Sequence, residues 1–371
     1  MKLPFDEQLT KKLDLNFIFV ILALNIIGLI NLYSATHGAS SLENSRLFWQ
    51  QIAWLALGWA TFFTVTFIDY KIFNRLAYPI YFIHLFLLVL VLLIGKKSLG
   101  AQRWLNLGFF RFQPSETIKL SIVLIMAHIL STKKIKKSGL QFKDLLYPLF
   151  VVSIPFLLIV KQPDLGTALL IVLIVFSMLF FAKIKRNLLI AFFILGLIGA
   201  SLGWNFALKP YQKGRIMTFL SPGSDPRGAG YNSIQSKIAV GSGKFWGKGF
   251  RKGTQSQLEF LPERHTDFIY SVLSEEHGFL GSFTTLAIYI YLLFLCLQIG
   301  SRAKDRFGMF VVLGVTAFIF WHMFINICMV IGLMPIVGVP LPLLSYGGSS
   351  MLATMAGLGL ISAVAYRRYL F

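Results

Sequence analysis

The stretch LPERHTDFIYSVLSEEHGFLGSFTTLAIYIYLLFLCLQIG, residues 261–300, holds two kinds of chemistry in one run. Its first half carries Glu263, Arg264, His265, Asp267, Glu275, Glu276 and His277. From Phe279 to Ser301 there is no charge, and an apolar run of that length is enough to cross a bilayer. Residues 268–299 together are too long for one straight crossing. Gly278 and Gly281 are therefore expected to break a short helix, 267–277, from the true span. The stretch reads as a membrane helix with ionisable groups gathered at its mouth.

Working outward, the chain repeats the apolar half of this pattern. Of 371 residues 56% are hydrophobic and 13% charged, against roughly one quarter charged in soluble domains. The expected fold class is an all-α polytopic membrane protein with ten transmembrane helices. The spans fall near 15–33, 48–67, 76–94, 115–131, 145–160, 165–182, 187–205, 268–299, 307–331 and 347–366. They form one membrane domain over 1–371, with a large extracytoplasmic loop, 206–266, between spans 7 and 8. The first span follows a polar start and shows no small-residue cleavage site, so no cleaved signal peptide is expected. Cys296 and Cys328 lie in separate apolar runs without metal or redox spacing and read as packed thiols.

The net charge of +20 raises the question of nucleic acid. The placement of the charge argues for no nucleic-acid partner, because the basic residues sit in short clusters between apolar runs, as orientation signals do. With both termini placed in the cytoplasm, the inner segments collect Lys2, Lys11 and Lys12; Lys71 and Arg75; Lys133, Lys134, Lys136, Lys137 and Lys143; Lys183, Lys185 and Arg186; Arg302, Lys304 and Arg306; and Arg367 and Arg368. Two outer segments break the rule. Loop 95–114 holds Lys96, Lys97, Arg103 and Arg111 with no acid. Loop 206–266 holds ten basic residues, Lys237, Lys244 and Arg264 among them, against Asp225, Glu259 and Glu263. Two independent basic loops on the outer face point to an anionic ligand such as a phosphate or pyrophosphate.

Asp267 is the candidate catalytic residue. Thr266 is expected to cap the helix that begins there, which would give Asp267 the plainer role of complementing the helix dipole. Its place between a basic loop and an apolar boundary suits a base whose pKa is set by burial and nearby cations. Glu275 and Glu276 read as structural salt-bridge residues. In GAQRWLNLGFFRFQPSETIKL, residues 100–120, Glu116 and Lys119 stand at i, i+3 and can pair. A buried ion pair in a membrane marks a cavity or a switch. Arg103 and Trp104 precede it as candidate substrate contacts. Lys161 and Asp164 read as turn and cap residues. In SPGSDPRGAGYNSIQSKIAVGSGKFWGKGF, residues 221–250, glycines and interleaved lysines suit either an anion or tight turns. The stretch 334–350 contains Pro335, Pro340 and Pro342, so it cannot be a regular lipid-facing helix and must be packed in protein or line a cavity. There Ser345 serves either a ligand or that backbone.

The stretches GAQRWLNLG, FQPSE, QPDLGTA, GAGYNSIQSKIAVGSG, GTQSQLEFLPERHTDFIYSVLSEEHG and GVPLPLLSYGGSS together resemble the SEDS family (shape, elongation, division and sporulation proteins). The likeness is to its elongation type more than to its division type. It implies a peptidoglycan glycosyltransferase of the bacterial cytoplasmic (inner) membrane that polymerises lipid II and releases undecaprenyl pyrophosphate. It also implies an essential acid at Asp267, roles for Trp104, Glu116 and Lys119, and partners in a class B penicillin-binding protein and other elongation-complex proteins. A pyrophosphate site makes Mg²⁺ or Mn²⁺ plausible, although no dedicated metal cage and no organic cofactor motif is visible. A lipid II flippase and a non-catalytic scaffold are the alternatives. The first predicts inverted repeats, which the sequence lacks, and the second leaves Asp267 and the basic outer loops without a purpose.

Overall fold

The structure, a computed structural model, describes residues 13–36, 42–98, 101–106, 108, 111–133, 139–207, 209–221, 230–258 and 260–367. Lys2, Lys11, Lys12, Lys134, Lys136, Lys137, Asp225, Arg227, Glu259 and Arg368 of the charge argument lie outside these residues. In chain order the helices are α1 (Leu15–Thr36), α2 (Leu42–Phe67), α3 (Tyr70–Arg75), α4 (Ala77–Ile94), α5 (Pro114–Thr132), α6 (Phe142–Lys161), α7 (Leu165–Phe181), α8 (Arg186–Leu202), α9 (Pro210–Leu220), α10 (Tyr231–Ser242), α11 (Thr254–Gln257), α12 (Ile269–Ser301), α13 (Arg306–Val330) and α14 (Gly348–Arg367). A π-helical turn, Gly203–Ala207, closes α8.

Among the described residues seven helices are long and apolar enough to cross a membrane: α1, α4, α5, α6, α12, α13 and α14. The other three expected spans are helical too. α7 and α8 have 17 residues each, and α2, with 26, is less apolar. Which helices sit at the centre follows from their polar residues. α5 carries Ser115, Glu116, Lys119 and Ser121; α13 carries His322 and Asn326; α14 carries Ser349, Thr354 and Ser362; all are buried. Polar groups at membrane depth need protein partners, so these three helices are buried along most of their length. α4, α6 and α12 expose apolar residues such as Phe86, Phe150 and Phe294. Close approach of α2 and α14 needs glycine: a Cβ on Gly348 would stand 2.3 Å from Trp54, and one on Gly359 2.8 Å from the Phe62 carbonyl.

Alongside the helices there is a sheet where an open loop was expected. β1 (Lys96–Ser98), β2 (Ala101–Asn106) and β3 (Arg111–Phe112) form an antiparallel meander, β1-β2-β3, immediately before α5. Gly108, at φ 83°, sits in the β2–β3 turn.

The break in α12 falls at Gly278, whose φ of 63° and ψ of −158° are non-helical; Gly281 lies within the continuing helix. The kink leaves carbonyls and N–H groups without helical partners. The glycine-rich turn after α10 supplies them. Lys248 N and Gly249 N donate to the carbonyls of Glu275 and Glu276, both at 3.0 Å. Phe279 N and Leu280 N donate to those of Lys244 and Phe245, at 2.8 and 3.2 Å. Gly243 and Gly247 admit this backbone, since a Cβ on either would stand about 2 Å from the Ser274 or Glu276 carbonyl. These glycines therefore serve backbone contact and leave the anion-cradle reading without support. Gly278→Ala is expected to cost about 2 kcal/mol or more, through the glycine-only backbone region and contacts of 2.3 Å and 2.6 Å with Gly247 N and Phe245 O. The check is the unfolding temperature in detergent. Gly199→Ala in α8, where an added Cβ meets nothing, is the matched control.

Candidate active site

Residues 263–268 form a turn that feeds α12. Glu263, at φ 52°, accepts from Thr266 N at 3.1 Å and from Phe268 N at 3.3 Å on its carbonyl. The Thr266 hydroxyl donates to Glu263 Oε2 at 2.9 Å, so it does not cap α12. The helix instead begins at Ile269 after Phe268, without a side-chain cap. Asp267 stands before the helix rather than in its first turn, where the plainer dipole role would have placed it.

The surroundings of Asp267 come from the irregular segment between α13 and α14. Asp267 Oδ2 lies 3.2 Å from where a Cβ on Gly338 would be, a tight contact, and the φ of 77° at Gly338 independently favours glycine there. The Asp267 carbonyl accepts from Asn326 Nδ2 at 2.8 Å, and the same amide donates to the Val339 carbonyl at 2.7 Å. Ser345 donates to the Thr266 carbonyl at 2.7 Å and accepts from Leu341 N at 2.8 Å; Tyr346 N donates to the His265 carbonyl at 2.9 Å. The proline-broken segment is thus packed within protein. The Ser345 hydroxyl ties this segment to the turn before α12 through the Leu341 N–H and the Thr266 carbonyl.

Four charged side chains bear on Asp267: Glu263 and Asp164 raise its pKa, and Arg215 and Arg103 lower it. Burial is the largest influence, and the balance lifts the carboxyl from 3.8 to about 7. Arg103 reaches from β2 to the Pro163 carbonyl and stands 3.7 Å from Asp164 Oδ1. Asp164 is also the N-cap of α7, accepting from Thr167 N. Arg215, on α9, donates to the Ile336 carbonyl at 3.2 Å. In sequence it is one basic residue of ten in a long loop; only the folding of α9 against the irregular segment distinguishes it. Trp104 is half-buried on β2. As strand neighbours, Arg103 and Trp104 are expected on opposite faces of the sheet.

Glu116 and Lys119 pair inside the bundle at 2.9 Å, with side chains 6% and 0% exposed. A third member joins them: Lys119 Nζ lies 2.8 Å from His322 Nε2 on α13. His322 was missed because a lone histidine in an apolar run carries no spacing signal.

Other candidates lie apart from Asp267. Arg264 is buried and donates from Nε to the Ala35 carbonyl at 2.8 Å, tying the turn to the end of α1. Lys237 lays its stem over Gly332, past the end of α13. Lys244 is exposed beside the Gly278 kink, at the far end of the first arm of α12 (269–277) and roughly 14 Å from Asp267 along its axis. Glu275 is structural, as expected. It accepts from Lys248 Nζ at 2.7 Å and from Gln255 N and Ser256 N at the start of α11. Glu276 accepts from the Ser34 hydroxyl at 2.5 Å. Among the described residues no group of three or more His, Cys, Asp or Glu is placed to hold a metal ion.

A family model described as a cell cycle protein, FTSW_RODA_SPOVE, matches residues 14–370. Peptidoglycan glycosyltransferase MrdB of Escherichia coli (strain K12) is 40% identical over 360 residues, which cover 96% of this chain and 94% of that protein. A chain solved in work on the structural coordination of polymerization and crosslinking by a peptidoglycan synthase complex superposes with a TM-score of 0.81 at 32% identity, covering 97% of this chain and 99% of that one. The crystal structure of the Thermus thermophilus rod shape determining protein RodA gives 0.71 at 30% identity, covering 96% and 98%.

Proposed function

Because the chain belongs to the FtsW, RodA and SpoVE family of cell cycle proteins, we propose that the carboxylate of Asp267 is the general base of its glycan-forming reaction. The protein is a multi-pass inner-membrane peptidoglycan glycosyltransferase. Lipid II is both donor and acceptor. Asp267 takes the proton from the 4-hydroxyl of the acceptor GlcNAc. That oxygen attacks C1 of the donor MurNAc, the bond from C1 to the pyrophosphate oxygen breaks, and a β-1,4 link forms with inversion. Undecaprenyl pyrophosphate leaves with the bonding electrons. It is a good leaving group once cations hold it, so no general acid is needed. Arg103 and Arg215 are the cations nearest to that task, and Trp104 offers a face for a sugar.

One observation carries this reading: a half-buried carboxyl before a membrane helix, raised to about 7 and within electrostatic reach of the Arg215 and Arg103 guanidinium groups. A base works best with a pKa near the working pH. The test is purified protein with lipid II in detergent, glycan strands being separated by length. Strands from the parent and none from Asp267→Asn support the reading. Transfer of lipid II across vesicles without polymer would favour a flippase instead.

The finer topology belongs to the same proposal: ten spans, both termini cytoplasmic, and the 206–266 loop and Asp267 outside. The short basic clusters motivate it. A reporter that works only in the cytoplasm, fused after Phe371, should be active; activity only from a reporter that needs the outer side would overturn the topology. The likeness to a chain of a peptidoglycan synthase complex supports a class B penicillin-binding protein as partner. Among the described residues no cluster of His, Cys, Asp or Glu is placed to hold a metal ion, so Mg²⁺ or Mn²⁺, where required, would arrive with the substrate pyrophosphate, and polymerisation in chelator against added metal tests this.

A further inference from the structure

The ion pair on α5 and the base before α12 come from distant parts of the sequence, yet one face of α13 touches both. His322 and Asn326 stand at i, i+4, so they share that face about 6 Å apart along the axis. Both are fully buried. His322 Nδ1 lies 2.7 Å from the Phe318 carbonyl, which places the proton on Nδ1 and leaves Nε2 to accept from Lys119 Nζ at 2.8 Å. One turn on, Asn326 donates to the carbonyls of Asp267 and Val339, and both of these residues belong to non-helical backbone. Asn326 Oδ1 is buried without a hydrogen-bond partner. An interior amide with an idle oxygen is unfavourable, and the same burial could be had from leucine. What leucine cannot do is hold two carbonyls that no helix ladder satisfies.

We propose that Asn326 and His322 are positioning residues. Asn326 fixes Asp267 against Gly338 through its backbone carbonyl, and His322 fixes the Lys119–Glu116 pair, so that α13 sets the separation between base and buried ammonium. Neither residue touches the reacting atoms; each acts through a neighbour. The turn at 263–268 has no cap of its own at the start of α12. Asn326 supplies the missing restraint from across the bundle. Lys119 is surrounded in the same way, by Glu116, by His322 and by the Phe318 ring 5.4 Å away. Its ammonium therefore has one position rather than several.

This inference rests on Asp267 as the base, and the test separates the two. Asn326→Leu, His322→Leu and His322→Gln are made in the full chain beside Asp267→Asn, and polymerisation of lipid II is measured per folded molecule. Asn326→Leu should lower kcat by about 10²-fold with KM close to parental, the signature of a misplaced catalytic group. His322→Gln keeps an acceptor for Lys119 and should recover most of what His322→Leu loses. If Asp267→Asn is inactive while Asn326→Leu keeps the parental kcat, the base stands and the positioning role falls. If activity per folded molecule is parental in Asn326→Leu and His322→Leu, both residues are packing only, and the inference is overturned. If Asp267→Asn polymerises at the parental rate, the base reading fails first, and a fall in kcat from Asn326→Leu would then need another target.

Discussion

Asp267→Asn is expected to lower lipid II polymerisation by about 10²–10⁴-fold while the protein stays folded. The amide keeps the shape of the carboxyl and its place beside Gly338, but cannot take a proton. Folding should survive because the contact from Asn326 is to the Asp267 carbonyl, which the substitution leaves in place. The pH profile gives the sharper check. The base must be ionised to work, so activity should fall as pH drops through about 7, the value to which burial and Glu263 raise it. A limb at that position, unmoved by metal concentration, distinguishes a base from a carboxylate that merely orients a cation. The same shift sets a stability trend. The folded protein holds this proton up to about pH 7, whereas the unfolded chain releases it near 3.8. Stability from this group is therefore full below 3.8 and is lost as pH rises through 7. The asparagine variant has no such proton to lose. Above pH 7 it should unfold no more readily than the parent, and a marked loss of stability there would mean that its inactivity reports misfolding. Asp267→Glu should keep at most a trace, its carboxylate being displaced by one methylene from the place that Asp267 holds beside Gly338.

Much of this architecture is legible in the residues. Apolar runs bounded by basic clusters give the helices, and Gly278 marks the break in α12 because a glycine there separates a polar helix from an apolar one. Glu116 and Lys119 are visible as a pair because helical spacing is local information. What the sequence does not reveal is non-local. Asn326 and His322 sit in the apolar run FWHMFINICMV, where one amide and one imidazole carry no periodic signal. Their partners are 59 and 203 residues away. Arg215 was visible as charge but not as a neighbour of Asp267, since that depends on how α9 packs. The glycine-rich turn misleads in the other direction. Glycine admits any close backbone, and here the close backbone is that of Glu275 and Glu276 rather than an anion. The sheet at 96–112 escapes for a similar reason: strands of two to six residues are too short for alternation to declare itself.

Glu116→Ala should be the most destabilising of the site variants. It leaves the Lys119 ammonium, which has no exposed surface, with only the His322 nitrogen and the Phe318 ring. Breaking a buried pair by removing one partner costs about 3–5 kcal/mol, because the remaining charge is still out of water. A lower unfolding temperature in detergent and a loss of polymerisation are both expected. Reversing the pair, with lysine at 116 and glutamate at 119, separates folding from function. The charges again cancel, so much of the stability should return. The carboxylate at 119 would now face His322 Nε2, whose lone pair it repels while Nδ1 remains committed to the Phe318 carbonyl. A proton taken up at Nε2 would relieve that contact only by placing a cation where the parent has a neutral ring. The reversed pair also removes the ammonium that α13 holds in register with Asp267. Folding should therefore recover further than activity, measured as unfolding temperature against polymer formed per folded molecule. Full activity in the reversed variant would reduce Glu116 and Lys119 to a structural tie between α5 and α13, whereas recovered folding with little polymer would mean that the position of the positive charge, and not merely the neutrality of the pair, matters to glycan formation.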